Sequence, residues 1–471
     1  MEKQNRNISP LDSALNNRKI KTGGTATKCP LIFIQTFGCQ MNKYDSEIMK
    51  SLLLKDGYKF TDNWQEADVI LVNTCSVRQH AEERVYSHLW KWSKYKQEVK
   101  PNLIIGICGC MAQKEGINIL NKIPYLNLVC GTYSIPRINE FVSDLLKTGG
   151  RRIEISEYYT DFPPPVHEAR ETKISAWIAI MRGCNNYCAY CVVPYVRGRE
   201  ISRPPEEIEN EIQELARKGI KEVTLLGQNV NSYGFKIQDS RFKITFPDLL
   251  KRINDLKGIE WIRFTTSHPK DMSVATIEAI RDLPKVCEHI HIALQSGSDK
   301  ILKLMNRKYT REQYKELVDR IRANIPKVSI TTDIMVGFPT ETEDDFMDTY
   351  NLVKEIEFDM SYIFMYSSRP GTKASEFKDD VPEEIKQERL NKLLSMQKRI
   401  VQKQNEALIG KEVEILVGGY TFKDKSKYFG KTRNFKPVSF QSDKDLIGKL
   451  VKIKITEIRG GLLEGEIITR S

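Results

Sequence analysis

Short apolar runs alternate with amphipathic, helix-period segments along most of the chain, and this alternation restricts the fold more than any other feature. A strand, a returning helix and a second strand build parallel sheets, because the helix carries the chain back across the sheet face. Two blocks show the pattern. In the first, residues 31–36, 68–73, 102–107 and 126–129 read as strands, with helical segments such as 46–54 and 81–92 between them. In the second, from about 173 to 380, the candidate strands are ISAWIAIMRG, EVTLLGQNV, WIRFTTS, IHIALQS, SITTDIMVGF and MSYIFMYS. Amphipathic helices at 205–218, 246–256, 310–323 and 343–356 separate them. Six such units fall short of the eight in a closed barrel. An open, partial (β/α)6 barrel fits the count, and a long charged helix at about 382–408 follows it.

The flanks differ. Residues 1–28 are polar and Asn/Lys/Thr-rich, and read as a disordered tail. Residues 147–172, with two adjacent glycines and Pro163-Pro164-Pro165, read as a linker between a first domain at 29–146 and a second at 173–408. The last segment, 409–471, consists of short β-rich runs between Gly, Asp and Lys turns, which predicts a small antiparallel, OB-like barrel. The fold class is therefore α/β: an N-terminal parallel α/β sheet domain, a central partial barrel and a C-terminal antiparallel β-barrel.

Lys and Arg number 73 against 62 Asp and Glu, a net charge of +11 that favours a polyanionic partner. From Gly410 onward there are 13 basic and 8 acidic residues, so about half the excess lies in the terminal barrel. Ten cysteines in 471 residues are too few for a disulfide scaffold and point to a reducing, cytoplasmic setting. The longest nearly apolar stretch, 103–112, is about half of a membrane span. No secretory apolar core opens the chain, and we expect a monomer without a membrane.

The sharpest motif is Cys184-Asn-Asn-Tyr-Cys188-Ala-Tyr-Cys191, directly after the first barrel strand. Three thiolates at this spacing on one loop can hold three corners of a 4Fe-4S cluster and leave one iron open. A zinc site normally takes four protein ligands, and no fourth cysteine or histidine lies near in sequence. The position also fits, since functional residues of βα barrels sit at the carboxyl ends of strands. Here the chain resembles the radical S-adenosylmethionine enzymes. That likeness implies S-adenosylmethionine chelated at the open iron and a 5′-deoxyadenosyl radical formed from it.

A second set of cysteines is scattered: Cys39 in TFGCQMN, Cys75 in NTCSV, and Cys108 with Cys110 in GICGCMAQ. Each setting lies between a predicted strand and a predicted helix, so all share the carboxyl edge of the first sheet. Core packing is the plain alternative for such thiols. Spacing does not choose between Cys108 and Cys110. Cys29, Cys130 and Cys287 have no such setting and read as structural.

TFGCQMN, NTCSV and GCMAQ, followed by RGCNNYCAYCVVPYVRGREISRP, resemble the methylthiotransferase family of radical S-adenosylmethionine enzymes, from about residue 30 to 471, with a C-terminal segment similar to the RNA-binding TRAM domain. The resemblance implies an auxiliary 4Fe-4S cluster on Cys39, Cys75 and Cys110 and a radical cluster on Cys184, Cys188 and Cys191. It implies two S-adenosylmethionine-dependent steps that place a methylthio group on carbon 2 of N6-dimethylallyladenosine beside the tRNA anticodon. An alternative within the family is threonylcarbamoyl-adenosine in tRNA. A zinc-stabilised RNA-binding adaptor without catalysis is an alternative of another class. The C–H bond at carbon 2 is not acidic, so no side chain is singled out as an acid or base; the chemistry falls to the clusters. An electron donor such as flavodoxin or ferredoxin is implied.

Other positions carry weaker expectations. Tyr190 resembles the family position whose backbone meets the adenine of S-adenosylmethionine. Gln228, Asn229, Gln295, Ser296, Asp333 and Tyr366 follow or lie on barrel strands and are expected near its mouth as further contacts to that cofactor. Arg197, Arg199 and Arg203 are candidates for RNA phosphates. So are Lys423, Lys427, Tyr428, Lys431 and Arg433, which interleave with Tyr420, Phe422, Lys425 and Phe435 in a pattern suited to looped RNA such as the anticodon stem-loop. VGFPTE at 336–341 reads as helix N-capping, and His289 and His291 as lying along a barrel strand.

Overall fold

The structure, a computed structural model, describes residues 29–76, 79–156, 162–236 and 243–468, without the side chains of 79–81. The tail expected at 1–28 and residues 157–161 of the expected linker lie outside these.

The N-terminal unit runs β1 (Leu31–Phe37), α1 (Gln40–Lys55), β2 (Lys59–Phe60), β3 (Val69–Thr74), α2 (Gln79–Glu98), β4 (Ile104–Gly109), α3 (Cys110–Glu115), α4 (Ile119–Lys122), β5 (Leu128–Cys130), α5 (Ile138–Thr148) and β6 (Arg152–Glu154). Its six strands are parallel, in the order β2-β1-β3-β4-β5-β6. Every residue of β3 and β4 is buried, as expected for parallel strands covered on both faces. Ile48, Leu53 and Phe141 pack on one side; Val85, Leu89 and Trp92 pack on the other. The chain runs outward from β1 to β2 and then crosses to β3, so the switch point lies between β1 and β3. Residues 152–154, read from sequence as linker, add the edge strand β6.

The central unit contains β7 (Ser175–Ala179), β8 (Met181–Arg182), α6 (Val193–Val196), β9 (Ile201–Ser202), α7 (Pro205–Arg217), β10 (Glu222–Leu226), β11 (Gly234–Lys236), β12 (Lys243–Thr245), α8 (Phe246–Asn254), β13 (Trp261–Thr265), α9 (Val274–Asp282), β14 (His289–His291), α10 (Asp299–Leu304), α11 (Arg311–Asn324), β15 (Ser329–Val336), α12 (Glu343–Ile356), β16 (Met360–Met365) and α13 (Glu383–Glu406). β7, β10 and β13 form one parallel sheet and β14, β15 and β16 another. Bridges Ile262↔Val286 and Ser267↔Ile292 join them into six strands of an open barrel. Alternation sorts the side chains. Ile178, Val223, Phe264, Ile290, Ile334 and Ile363 point outward into the core beneath the helices, which leaves their neighbours facing the lumen.

The C-terminal unit is a closed barrel of β17 (Glu412–Tyr420), β18 (Tyr428–Thr432), β19 (Pro437–Phe440), β20 (Leu450–Arg459) and β21 (Leu462–Ile467), in the order β17-β18-β19-β21-β20. It docks under the central barrel through the turn between β18 and β19. Arg263 of β13 donates to the carbonyls of Thr432 (2.8 Å) and Arg433 (2.7 Å), and Phe435 stacks on His289 with ring centroids 4.7 Å apart. Glu222 and His289 open β10 and β14, so this turn closes the amino end of the barrel.

Candidate functional site: two thiol trios across a short helix

Cys39 caps α1, its backbone N–H donating to Asn42 Oδ1 (3.3 Å). Asn42 is fully buried and locked to the end of β3: its Nδ2 donates to Thr74 O (3.0 Å), and Asn73 Nδ2 donates back to Asn42 O (2.7 Å) and to Ser46 Oγ (2.9 Å). This clamp draws the loop after β1 onto the loop after β3, next to the switch point, and sets Cys39 beside Cys75. The approach is close: a Cβ on Gly38 would lie 2.8 Å from Cys75 Cβ.

Cys108 lies within β4, in register with Cys130, and the two thiols are within hydrogen-bonding reach in the core. Gly109 then takes φ 89°, where an added Cβ would collide with Asn73 Oδ1 at 2.3 Å, and Cys110 becomes the first residue of α3. The glycine breaks the strand parity that would have faced both sulfurs the same way. Only Cys110 reaches the Cys39 edge.

The hydrogen bond to Cys75 and the nearby Arg197 cation lower the Cys39 thiol below its ordinary pKa, against the effect of burial. Burial raises that of Cys110, and Arg197 moderates the rise. Arg197 belongs to the loop that follows the second trio. Its Nη2 lies 2.6 Å from Asp45 Oδ2 of α1, and Arg182 Nη2 lies 3.5 Å from the other oxygen. All three side chains are buried.

The second trio sits on the loop between β8 and α6. Cys184 N–H donates to Gly198 O and Cys191 N–H to Cys188 O, both at 3.0 Å. Tyr187 takes φ 47°, and Asn306 Nδ2 holds its carbonyl at 2.9 Å. Arg307 Nη1 lies 3.4 Å from Cys188 Sγ, braced by Ala293 O (2.8 Å) and by the Tyr309 hydroxyl (2.9 Å). Burial pushes the thiols of Cys184 and Cys191 up to about 11 and about 12.

The segments that carry the two trios meet. Cys110 packs against Val192 and Val196, the N-cap and last residue of α6, which follows Cys191, and the Thr132 hydroxyl donates to Val196 O at 2.5 Å. Among the described residues no three His, Cys, Asp or Glu side chains gather tightly enough for a single metal ion. A cubane spreads its ligands over separate corners, and three thiols with a guanidinium alongside suit that donor set. The other cysteines are placed elsewhere: Cys108 with Cys130, Cys29 against Gly57 O, and Cys287 beneath Trp261 and Leu416.

Of the residues expected at S-adenosylmethionine, Gln228 keeps a buried amide oxygen without a partner among the described residues, a suitable acceptor for a ligand N–H. Tyr190 packs into the cluster of Ala189, Met305 and Phe338 at the mouth. Asp333 Oδ2 lies 3.2 Å from His291 Nε2. Gln295 adopts φ 71° and bridges to Ile334. The side chains of three others are committed to the protein itself. Asn229 binds Asp271 Oδ2 (2.6 Å) and the His268 N–H (3.1 Å), Ser296 is hydrogen-bonded to Thr349, and the Tyr366 hydroxyl donates to Ala374 O (2.9 Å).

The arginine expectation needs correction. Arg203 is buried and paired with Glu207 and Glu211 of the following helix α7, and Arg197 is buried against Asp45 of α1. Only Arg199 is exposed. In the terminal barrel, Tyr428 is core, stacked on Phe440 at 5.5 Å. Arg433 grips Glu288 (2.8 Å), and Lys431 lies 3.8 Å over the Phe435 ring, so both belong to the docked turn. Lys427 pairs with Glu464 (2.7 Å). Lys423 is exposed, beside Phe422 at 94% and exposed Lys425. VGFPTE itself does not supply the cap, which falls one residue beyond it. Thr342 caps α12, while Glu341 turns inward to accept from the Gly337 N–H (2.9 Å) and from Arg389 of α13 (2.8 Å). Asn42, Asn73, Asp45 and Arg307 escaped the sequence reading, although both asparagines stand inside the quoted cysteine motifs.

A parallel partial barrel with a three-cysteine loop at its mouth defines a radical S-adenosylmethionine enzyme, and the comparisons agree. Residues 178–353 match the Radical SAM superfamily, 31–131 the Uncharacterized protein family UPF0004, and 406–468 the TRAM domain. In fold it is similar to a solved radical S-adenosylmethionine methyltransferase from Kitasatospora setae (TM-score 0.53, 12% identity, 74% of this chain and 77% of that one). Enzymes named tRNA-2-methylthio-N6-dimethylallyladenosine synthase are similar along nearly the whole length. That of Thermoanaerobacter pseudethanolicus is 48% identical over 437 residues (92% of each chain), that of Clostridium beijerinckii 47% over 439 (93% and 96%), and that of Acetivibrio thermocellus 44% over 470 (99% and 96%). The chain belongs to this family of radical S-adenosylmethionine methylthiotransferases. Membership overturns the zinc-adaptor alternative. Among the described residues no helix is long and apolar enough to cross a membrane.

Proposed function

We propose that this chain methylthiolates carbon 2 of N6-dimethylallyladenosine beside the anticodon of tRNA, with a 4Fe-4S cluster on each thiol trio. The observation that carries the reading is the packing of Cys110, from the first trio, on Val192 and Val196, which directly follow the second. A sulfur source and a radical source must serve one carbon atom, and adjacent sites allow that. The clusters, with S-adenosylmethionine at the second, supply the sulfur-bearing iron and the one-electron chemistry that an unactivated C–H bond requires.

The chain supplies placement and charge. Asn42 and Asn73 fix Cys39 against Cys75, Arg197 balances the thiolates of Cys39 and Cys110, and Arg307 does the same for Cys188. Gln228 offers its buried oxygen to bound S-adenosylmethionine. The loop at 421–427, with Phe422 ahead of exposed Lys423 and Lys425, offers a stacking ring and charges to an RNA loop. The similar enzymes named above support the prenylated nucleoside, and nothing supports the threonylcarbamoyl alternative. The setting is cytoplasmic, the chain monomeric, and a flavodoxin- or ferredoxin-like donor provides the electron.

Anaerobically reconstituted protein, given S-adenosylmethionine, a reductant and a prenylated anticodon stem-loop, is expected to yield the methylthio nucleoside in digested RNA. Product from a threonylcarbamoyl stem-loop, or 5′-deoxyadenosine without methylthio product from either, would overturn the reading. Phe422→Ala is expected to weaken stem-loop binding by about 1–3 kcal/mol, the value of one stacked base.

A further inference from the structure

The lumen of the partial barrel has two unlike walls. On β14 and the first half of β15 the inward residues are polar and bonded to one another: Thr331 Oγ1 to His291 Nδ1 (3.0 Å), and Asp333 to the other ring nitrogen (3.2 Å). On β16 they are apolar. Ser361 turns outward, its hydroxyl donating to Gln397 Oε1 of α13 (2.7 Å), and Ile363 enters the core beneath the helices. Alternation therefore aims Met360, Tyr362 and Phe364 inward, and the ring of Tyr362 lies 6.0 Å from that of His291. These three are 42%, 44% and 37% exposed although they are large and apolar.

The stripe leads to the chemistry. β16 is the edge strand, and Phe364 pairs in register with Met335 of β15. Met335 packs in the same cluster as Tyr190, between Cys188 and Cys191. An apolar wall thus runs up one side of the lumen and ends at the cysteine loop.

We propose that Tyr362 and Phe364, with Met335 beside them, receive the N6-dimethylallyl group of the substrate adenosine and set the preference for a prenylated base. This rests on the reading given under Proposed function and adds the residues that select the substituent. The dimethylallyl group is a five-carbon apolar branch and gains by leaving water for such a wall. A threonylcarbamoyl group carries a carboxylate and a hydroxyl and would need a cation there. Among the described residues, Arg263 is committed to Glu222 and the docked turn, and Arg307 to Cys188 and Ala293 O. Selection by hydrocarbon contact is also strong enough, since one methylene in an apolar pocket discriminates roughly 10- to 200-fold.

The test measures binding of the full-length protein to three anticodon stem-loops that differ only at the target adenosine: prenylated, unmodified and threonylcarbamoylated. Wild type is expected to prefer the prenylated RNA. Phe364→Ala and Tyr362→Ala are expected to reduce that preference about tenfold or more, with affinity for unmodified RNA unchanged. Tyr362→Phe is expected to keep the preference, since the ring and not the hydroxyl makes the contact. Phe364→Leu, a gentler change, guards against misfolding of the alanine variant and is expected to lose part of it. Variants that fold as wild type, judged by thermal melting, yet retain the full preference would overturn the assignment. A wild type that shows no preference and forms no methylthio product would instead overturn the functional reading itself.

Discussion

The cysteine loop holds its three thiols within eight consecutive residues, whereas Cys39, Cys75 and Cys110 span 72 positions and are gathered by a sheet. The first arrangement depends on local chain geometry plus one distant arginine. The second depends on strand register, an asparagine clamp and a buried charge cluster that includes two arginines from the other domain. A locally written site tolerates disturbance elsewhere in the fold. A site assembled by topology inherits the stability of everything that assembles it.

The contrast can be broken most directly by emptying one site at a time. The Cys39→Ser/Cys75→Ser/Cys110→Ser triple variant is expected to lose about half the iron and labile sulfide per chain and all methylthio transfer. It should still cleave S-adenosylmethionine to 5′-deoxyadenosine. Retention of full iron content would end the two-cluster reading. Asp45→Ala is next. It removes the carboxylate shared by the buried guanidiniums of Arg182 and Arg197, which costs about 3–5 kcal/mol in thermal unfolding, and iron should fall at the sheet trio before the loop trio. Equal loss from both trios would erase the distinction.

Smaller effects sharpen it. Arg307→Met removes a positive charge beside Cys188, and the loop cluster should become harder to reduce by roughly 60 mV, one decade for a one-electron couple. Arg307→Lys should restore part of the shift in a potentiometric EPR titration. A midpoint that stays put in the methionine variant would reduce Arg307 to a packing role. Smallest is Cys108→Ala, where we expect about 1 kcal/mol of lost stability from a buried thiol and no change in iron. Iron loss comparable to that of Cys110→Ala would reverse the assignment of these two neighbours.

The same contrast explains what the sequence disclosed. Three cysteines on one loop need no knowledge of distant contacts, and Cys39 and Cys75 became legible once strand–helix alternation placed their loops on one sheet edge. Cys108 and Cys110 were not separable, because their difference lies in a dihedral angle at Gly109 and in the pairing of β4 with β5. Arg197 and Arg203 looked like phosphate ligands because they follow the cysteine loop. Nothing local signals that α1 of the other domain meets Arg197, whereas Arg203 is taken by Glu207 and Glu211 of the next helix. The aromatic and basic residues of the terminal barrel divided for a similar reason: Lys431, Arg433 and Phe435 belong to the docked turn, while Phe422, Lys423 and Lys425 face solvent. The six-stranded central barrel followed from counting strands, and β2 and β6 were missed because two or three residues carry no periodicity.

The seating of Phe435 on His289 and of the Thr432 and Arg433 carbonyls on Arg263 makes the last domain a stopper for the enzyme's floor. Cutting it away at residue 410 would uncork the lumen beneath the catalytic loop and strand Arg263 beside Glu222. Loss of activity in such a truncation would therefore report a leaking reaction chamber as much as a missing RNA grip, and point changes on the Phe422 side are the cleaner way to separate the two.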